Sequence, residues 1–259
     1  MNQKNISCVI STHNRDEFLK EAIESVIQQN SPPIEIIVSD NVPSQSTKLL
    51  IETIAKKSPV PINYIGHKMK GRSSISLNLG VLKSKGNYIA FLNDDDTWKK
   101  NYLEKIYEMI FEKKNKIIYT WLIDWHNNKE HQGKQIKKNL KINDFLLKNP
   151  GCVISNLVVE KELFIGLGGF DEYIHPTNDK DFIIRALYYG YNYDVLQENL
   201  VLLRRHSYER VTDINKEFLL GIKKFFKKHE FNTSLIIKIK FWYKYFKLYI
   251  KSLILANTN

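Results

Sequence analysis

Short apolar runs alternate with longer segments of helical spacing through the first hundred residues. Residues 6–11 predict a short buried strand. Over 15–29 the apolar positions are Phe18, Leu19, Ala22, Ile23, Val26 and Ile27, which share one helical face. Pro32 and Pro33 break that pattern, and residues 34–38 predict a second strand. A polar turn over 40–46 leads to a helix over about 47–57. Pro59 and Pro61 then precede a third strand at 62–65, and a helix spans about 73–83. Gly86 ends that helix, and residues 88–92 predict a fourth strand. Alternation of this kind, with short connections, predicts an α/β domain whose mainly parallel sheet carries helices on both faces. Ligands of such sheets sit beyond the carboxyl ends of the strands. Residues 11–15, 40–41 and 94–96, far apart in the chain, are therefore expected at one rim.

The second half is less regular. It predicts a helix over 100–113, a strand over 116–123, an aperiodic exposed loop over 126–138, and a strand over 153–160. The stretch GLGGFDE, residues 166–172, predicts a tight turn in which glycine takes positive φ. A helix over 181–189 and a strand over 194–203 follow. From about residue 216 the pattern changes. Lys240, Lys244, Lys247 and Lys251 form one helical stripe, flanked by Phe241, Trp242, Tyr243, Tyr245, Phe246, Tyr249 and Leu253. Residues 232–256 therefore predict a peripheral helix lying in a membrane interface. Its alternative is a helix packed on the domain with solvated lysines.

Composition narrows the picture. An apolar share of 43% supports an ordinary globular core, and no stretch of about 18 uncharged apolar residues predicts a membrane span. The N-terminus has no signal-peptide pattern, so a cytoplasmic protein is expected. Cys8 and Cys152 lie in apolar surroundings without metal-type spacing and predict buried free thiols. The net charge of +11 points to an anionic partner: nucleic acid, a phosphate-bearing ligand or a membrane. The basic residues match no nucleic-acid recognition motif, so no nucleic-acid partner is expected.

Against that basic background, Asp94, Asp95 and Asp96 follow directly on the fourth strand. Crowded carboxylates need compensation. A helix start near Lys99 accounts for one of them. A hard divalent cation shared with substrate phosphates accounts for the cluster, since magnesium is held by one or two carboxylates plus phosphate oxygens and water.

The blocks CVISTHNR (8–15), ESVIQQ (24–29), EIIVSDN (35–41), the run from Gly71 to Asp96, and GGFDE (168–172) followed by NDKD (178–181) occur in one order. In that order the chain resembles family 2 glycosyltransferases over roughly residues 5–210. The resemblance implies a GT-A fold: a Rossmann-like mixed, mainly parallel sheet flanked by helices. It implies a catalytic domain at 1–212, with a nucleotide-sugar half over about 1–98 and an acceptor half over about 99–212. Residues 213–259 are then a basic, aromatic helical appendage.

Carried over position by position, the resemblance places Asp40 at the donor nucleobase, with Ser11, Thr12, His13 and Arg15 in the same pocket. It implies that Arg72 and Asn78 contact base or phosphate, and that Asp94 meets the ribose side. Asp95 would hold Mn2+ or Mg2+, with Asp96 and His206 supporting it and Arg204 or Arg205 assisting. Asp179 would be the general base of an inverting transfer, with Asp181 as its rival or as a helix cap. The donor implied is a nucleotide-diphosphate sugar, UDP-linked in preference to dTDP-linked. The acceptor implied is a glycan, lipid-linked when combined with the tail helix, met at the inner face of the cell membrane. The chain departs from the family pattern at Ser11, where proline is usual, and at Asn41, Asn93 and Asn178, where aspartate is frequent. A catalytically impaired nucleotide-sugar or glycan binder is the alternative those asparagines raise.

Overall fold

The computed structural model describes residues 5–69, 73–113, 115–126, 129–205 and 214–256. Strands β1 (Ile6–Thr12), β2 (Glu35–Asp40), β3 (Ile62–Gly66) and β4 (Tyr88–Asn93) run parallel, and helices α1 (Asp16–Ile27), α2 (Gln45–Ala55) and α3 (Ser73–Lys83) connect them. Ser44 caps α2 by accepting the Thr47 N–H at 3.0 Å. The chain continues through β5 (Thr97–Trp98), α4 (Tyr102–Lys113), β6 (Ile117–His126), β7 (Lys129–Gln132), α5 (Ile142–Leu147), β8 (Leu157–Glu160), α6 (Lys161–Gly166), α7 (Asn178–Tyr188) and β9 (Asp194–Arg204). Helices α8 (Lys216–His229) and α9 (Leu235–Ala256) end the described chain.

One sheet has the order β3-β2-β1-β4-β8-β6-β9-β5, with β7 on β6. Its first half is parallel. β8 pairs antiparallel with both β4 and β6, and β9 returns parallel to β6. The carboxyl ends of β1, β2, β4, β6 and β9 thus share one rim.

Strict alternation sorts the buried strand residues between the two faces. Val9, Ile37, Ile89 and Phe91 face α3, α6, α7 and α8, whereas Cys8, Ile10, Ile36, Val38, Ala90 and Leu92 face α1 and α4. Both faces are covered, so the strands read as unbroken apolar runs.

Two expectations change. Within the stretch expected as a loop, residues 129–132 form β7, antiparallel to the end of β6. All four of its residues are exposed, so backbone pairing holds the strand and no apolar alternation announces it. The strand expected from residue 153 begins only at Leu157. Asn156 accepts the Val153 N–H at 3.0 Å and donates to the Gly151 and Thr120 carbonyls, which winds Ile154–Asn156 into a 3₁₀ turn.

Helix α8 contributes Phe225 and Phe226 to the core shared with α6 and α7. The Phe241 ring of α9 stacks on Phe226 with centroids 3.6 Å apart. No helix among the described residues is long and apolar enough to cross a membrane.

Candidate active site

Register brings the first cluster together. Thr12 lies opposite Asp40, and Ser11 lies between Ser39 and Asn93. Thr12 Oγ1 donates to Asp94 Oδ2 at 2.9 Å, and the His13 N–H reaches the same oxygen at 3.2 Å. Arg15 Nη1 lies 3.4 Å from Asp94 Oδ1 and 2.9 Å from Asp95 Oδ2. His13 Nδ1 is 2.7 Å from Asn41 Oδ1. The loop after β1 therefore touches the ends of both β2 and β4.

The three adjacent carboxylates are compensated in different ways. Asp94 is buried, which pushes its carboxyl up to about 6; Asp95 pushes the same way, while Arg15, Thr12 and the His13 N–H oppose. Asp96 points inward, where its Oδ2 accepts the Ser155 hydroxyl at 2.5 Å and its Oδ1 accepts the Arg204 N–H at 3.2 Å. Burial, then Asp95, raise its pKa well above the carboxylate range. Asp96, expected as a metal ligand, thus has both oxygens turned into the fold. Asp95 alone of the three keeps its side chain partly open, beside Arg15. Among the described residues no group of three His, Cys, Asp or Glu side chains converges as a metal cage. One open carboxylate still fits a cation completed by diphosphate oxygens and water.

Asp40 is fully buried at the end of β2. Its Oδ1 accepts the Val42 N–H at 2.9 Å and its Oδ2 the Tyr64 hydroxyl at 2.8 Å, leaving lone pairs on both oxygens. His67, beyond β3, lies 2.9 Å from the Ser76 hydroxyl. Arg72 and His206 lie outside the described residues. Arg204 is described: it pairs with Glu21 and its guanidinium lies 4.8 Å from the Phe18 ring and 4.3 Å from the Trp125 ring. Arg205 pairs with Asp124 at 2.6 Å.

Asn78 is engaged elsewhere than expected. Its Nδ2 donates to the Phe170 carbonyl at 2.9 Å and its Oδ1 accepts the Phe170 N–H at 2.9 Å. The amide therefore pins the glycine turn. Gly169 has φ +67°, and a Cβ there would lie 2.7 Å from Asn78 Oδ1, so both backbone and packing require glycine.

Asp179 sits in the first turn of α7. Its Oδ1 accepts the Lys180 N–H at 2.7 Å and its Oδ2 the Asn149 amide at 3.1 Å. Burial pushes its carboxyl up to about 6; the Lys180 charge, the Lys180 N–H and Asn149 oppose it. The neighbouring Asn178 Nδ2 is buried without a hydrogen-bond partner. Asp181, by contrast, is fully buried, ion-paired to Arg185 and Lys228 and hydrogen-bonded with His229.

The segment 149–156 joins the two clusters, with Asn149 on Asp179 and Ser155 on Asp96. Sequence reasoning missed Asn149, Ser155 and Tyr64. The Asn149-Pro150-Gly151 turn signal was visible, but its partner is 30 residues away.

Comparison with known proteins bears on this arrangement. The family model for glycosyl transferase family 2 matches residues 7–164. An uncharacterised glycosyltransferase of Methanocaldococcus jannaschii is 27% identical over 216 residues, which are 79% of this chain and 72% of that protein. The GalNAc(5)-diNAcBac-PP-undecaprenol beta-1,3-glucosyltransferase of Campylobacter jejuni is 29% identical over 146 residues, 55% of this chain and 47% of its own length. Among solved structures, S. aureus TarS 1-349 in complex with UDP-GlcNAc superposes with TM-score 0.70 at 16% identity, covering 91% of this chain and 69% of that one. The mannosyltransferase PcManGT of Pyrobaculum calidifontis, in complex with GDP-Man and Mn2+, superposes with TM-score 0.65 at 14% identity, covering 89% and 65%. At these identities the structural likeness is one of fold, the GT-A arrangement of sheet and helices.

Proposed function

Because the chain belongs to glycosyl transferase family 2, we propose that it moves a sugar, with inversion, from a nucleotide-diphosphate sugar to a hydroxyl of a glycan acceptor. The observation that carries this reading is the presence of two carboxylates in unlike settings. Asp95 is partly open at the strand rim, and Asp179 is raised toward neutrality by burial. Separated environments of this kind assign separate roles.

Asp40, Ser11, Thr12 and His13 form the nucleoside end, with a UDP-linked donor favoured over a dTDP-linked one. The solved likenesses bind UDP-GlcNAc, UDP or GDP-Man, which supports the donor class. Asp94 faces the ribose side, and Arg15 supplies positive charge where a diphosphate would lie. Asp95 would hold Mn2+ or Mg2+, which when bound supplies Lewis-acid neutralisation of the departing diphosphate. Asp179 takes the proton of the acceptor hydroxyl as that oxygen bonds to the anomeric carbon and the carbon–phosphate-oxygen bond breaks. Asn149 orients the carboxylate. Asn178 Nδ2, without a partner beside it, is suited to donate to an acceptor oxygen.

The acceptor is read from α9. That helix carries five lysines and no acidic residue. Ile236, Ile239, Tyr243, Phe246, Leu253 and Ile254 are exposed along it. Apolar exposure combined with positive charge suits an anionic lipid surface. The Campylobacter relative's name specifies an undecaprenol-linked acceptor, which supports a lipid-linked glycan met at the inner membrane face.

Thermal shift with UDP-, dTDP- and GDP-sugars, with and without Mn2+, followed by a transfer assay, tests the reading. A donor that stabilises the protein only with Mn2+, and loses that effect in Asp95→Ala, is expected. Stabilisation without turnover over a range of glycan acceptors would favour the impaired-binder alternative instead.

A further inference from the structure

Helix α8 touches the chain on both sides of Asp179. Two residues after it, Asp181 is fully buried and receives His229 Nε2 at 2.7 Å, Lys228 Nζ at 2.8 Å and Arg185 Nε at 2.8 Å. Between them, the Lys180 ammonium lies 4.4 Å from the centroid of the Phe225 ring. Just before α7, a Cβ on Gly221 would fall 1.6 Å from the His175 carbonyl oxygen, so α8 lies backbone against backbone on the turn that leads into α7. The cluster extends further. Arg185 also donates to the Leu167 and Gly169 carbonyls, and Lys228 reaches Asp171 at 2.7 Å.

We infer that α8 is a brace for the reacting centre, and that His229 and Lys228 are positioning residues which hold Asp179 and the 167–171 turn in register through Asp181 and Arg185. The inference rests on Asp179 being the base. Charge-assisted bonds to a buried carboxylate are the strong ones, and removing one donor from this network takes away a bond that fixes the position of Asp181 in a place that water does not reach. Asp181 lies two residues from Asp179 on the same helical turn, so loosening it displaces the base. A misplacement of about 1 Å at a reacting group costs on the order of 10²-fold in rate. Neither His229 nor Lys228 touches Asp179 itself. Their effect is therefore on geometry, and a conservative donor at 229 should restore it.

The test uses the full chain with His229→Ala and His229→Gln. In His229→Ala, kcat for transfer should fall by about 10- to 100-fold. The Kd for UDP with Mn2+ by calorimetry, or for GDP with Mn2+ if that is the nucleotide bound, should stay within about twofold of wild type. Amide hydrogen exchange over 167–181 should quicken, while exchange over β1, β2 and β4 should not. His229→Gln, which again presents an N–H to Asp181, should recover most of kcat. If His229→Ala does not fold, Lys228→Ala, at the partly exposed member of the cluster, is measured in the same way. Unchanged exchange over 167–181 overturns the brace, whatever the activity. Unchanged kcat in an enzyme whose wild type turns over overturns the positioning role. Wild-type protein that transfers from none of the donors overturns the base assignment itself, a distinct failure.

Discussion

Replacing Asp179 with Asn keeps the size of the side chain and removes its capacity to take a proton. With the carboxyl pushed up to about 6, the base form is lost as pH falls through that value. About nine-tenths is ionised at pH 7, half at pH 6 and about one-tenth at pH 5, so kcat/KM should drop about tenfold between pH 7 and pH 5. An ordinary aspartate near 3.9 would hold the rate almost level over that interval. The free-enzyme profile, kcat/KM, is the one to compare with this structure. Asn149→Ala removes a hydrogen bond that favours the ionised carboxylate, and should move the acidic limb to higher pH. Asp179→Asn itself should cost about 10²–10⁴ in kcat and leave donor affinity intact. The assay is nucleotide-diphosphate release coupled to acceptor at fixed Mn2+, with donor Kd measured separately. A level profile down to pH 5, or more than about a tenth of wild-type turnover in Asp179→Asn, would refute the assignment.

The adjacent carboxylates should separate by phenotype. Asp96→Ala leaves the Ser155 hydroxyl and Arg204 N–H without their acceptor. It should lower stability by about 1–3 kcal/mol in urea titration while keeping Mn2+-dependent donor affinity, the reverse of Asp95→Ala. Asn78→Ala frees the Phe170 N–H and carbonyl at the glycine turn. It should cost about 1–3 kcal/mol, read by the same titration, with protease cleavage increasing within 167–172. Reversing charge on α9 with Lys240→Glu, Lys247→Glu and Lys251→Glu together should weaken co-sedimentation with phosphatidylserine vesicles by about 100-fold or more, at about 1 kcal/mol per lysine lost. Equal sedimentation of both proteins would assign the exposed face to some other surface.

The apolar runs at β1, β2, β3 and β4 and the helical spacing between them determined the parallel half of the sheet. β1, β2 and β4, buried on both faces, are written as largely hydrophobic stretches, and β3, at the sheet edge and only partly buried, as a shorter one; such stretches carry their meaning locally. That topology also determined that residues 11–15, 40–41 and 94–96 meet, and the contacts of Thr12 with Asp94 and His13 with Asn41 bear this out. Only the tertiary structure decided how the charge of the acidic cluster is divided. Asp94 and Asp95 share Arg15, whereas Asp96 turns inward to Ser155, 59 residues away. Likewise Asn78 reaches a turn 92 residues on, and Asp181 meets His229 across 48 residues. β7 formed from four polar residues because β6 offered a free edge. Periodicity records which face of an element is buried. The partner of one polar side chain is set by where the chain returns, and no local pattern encodes that.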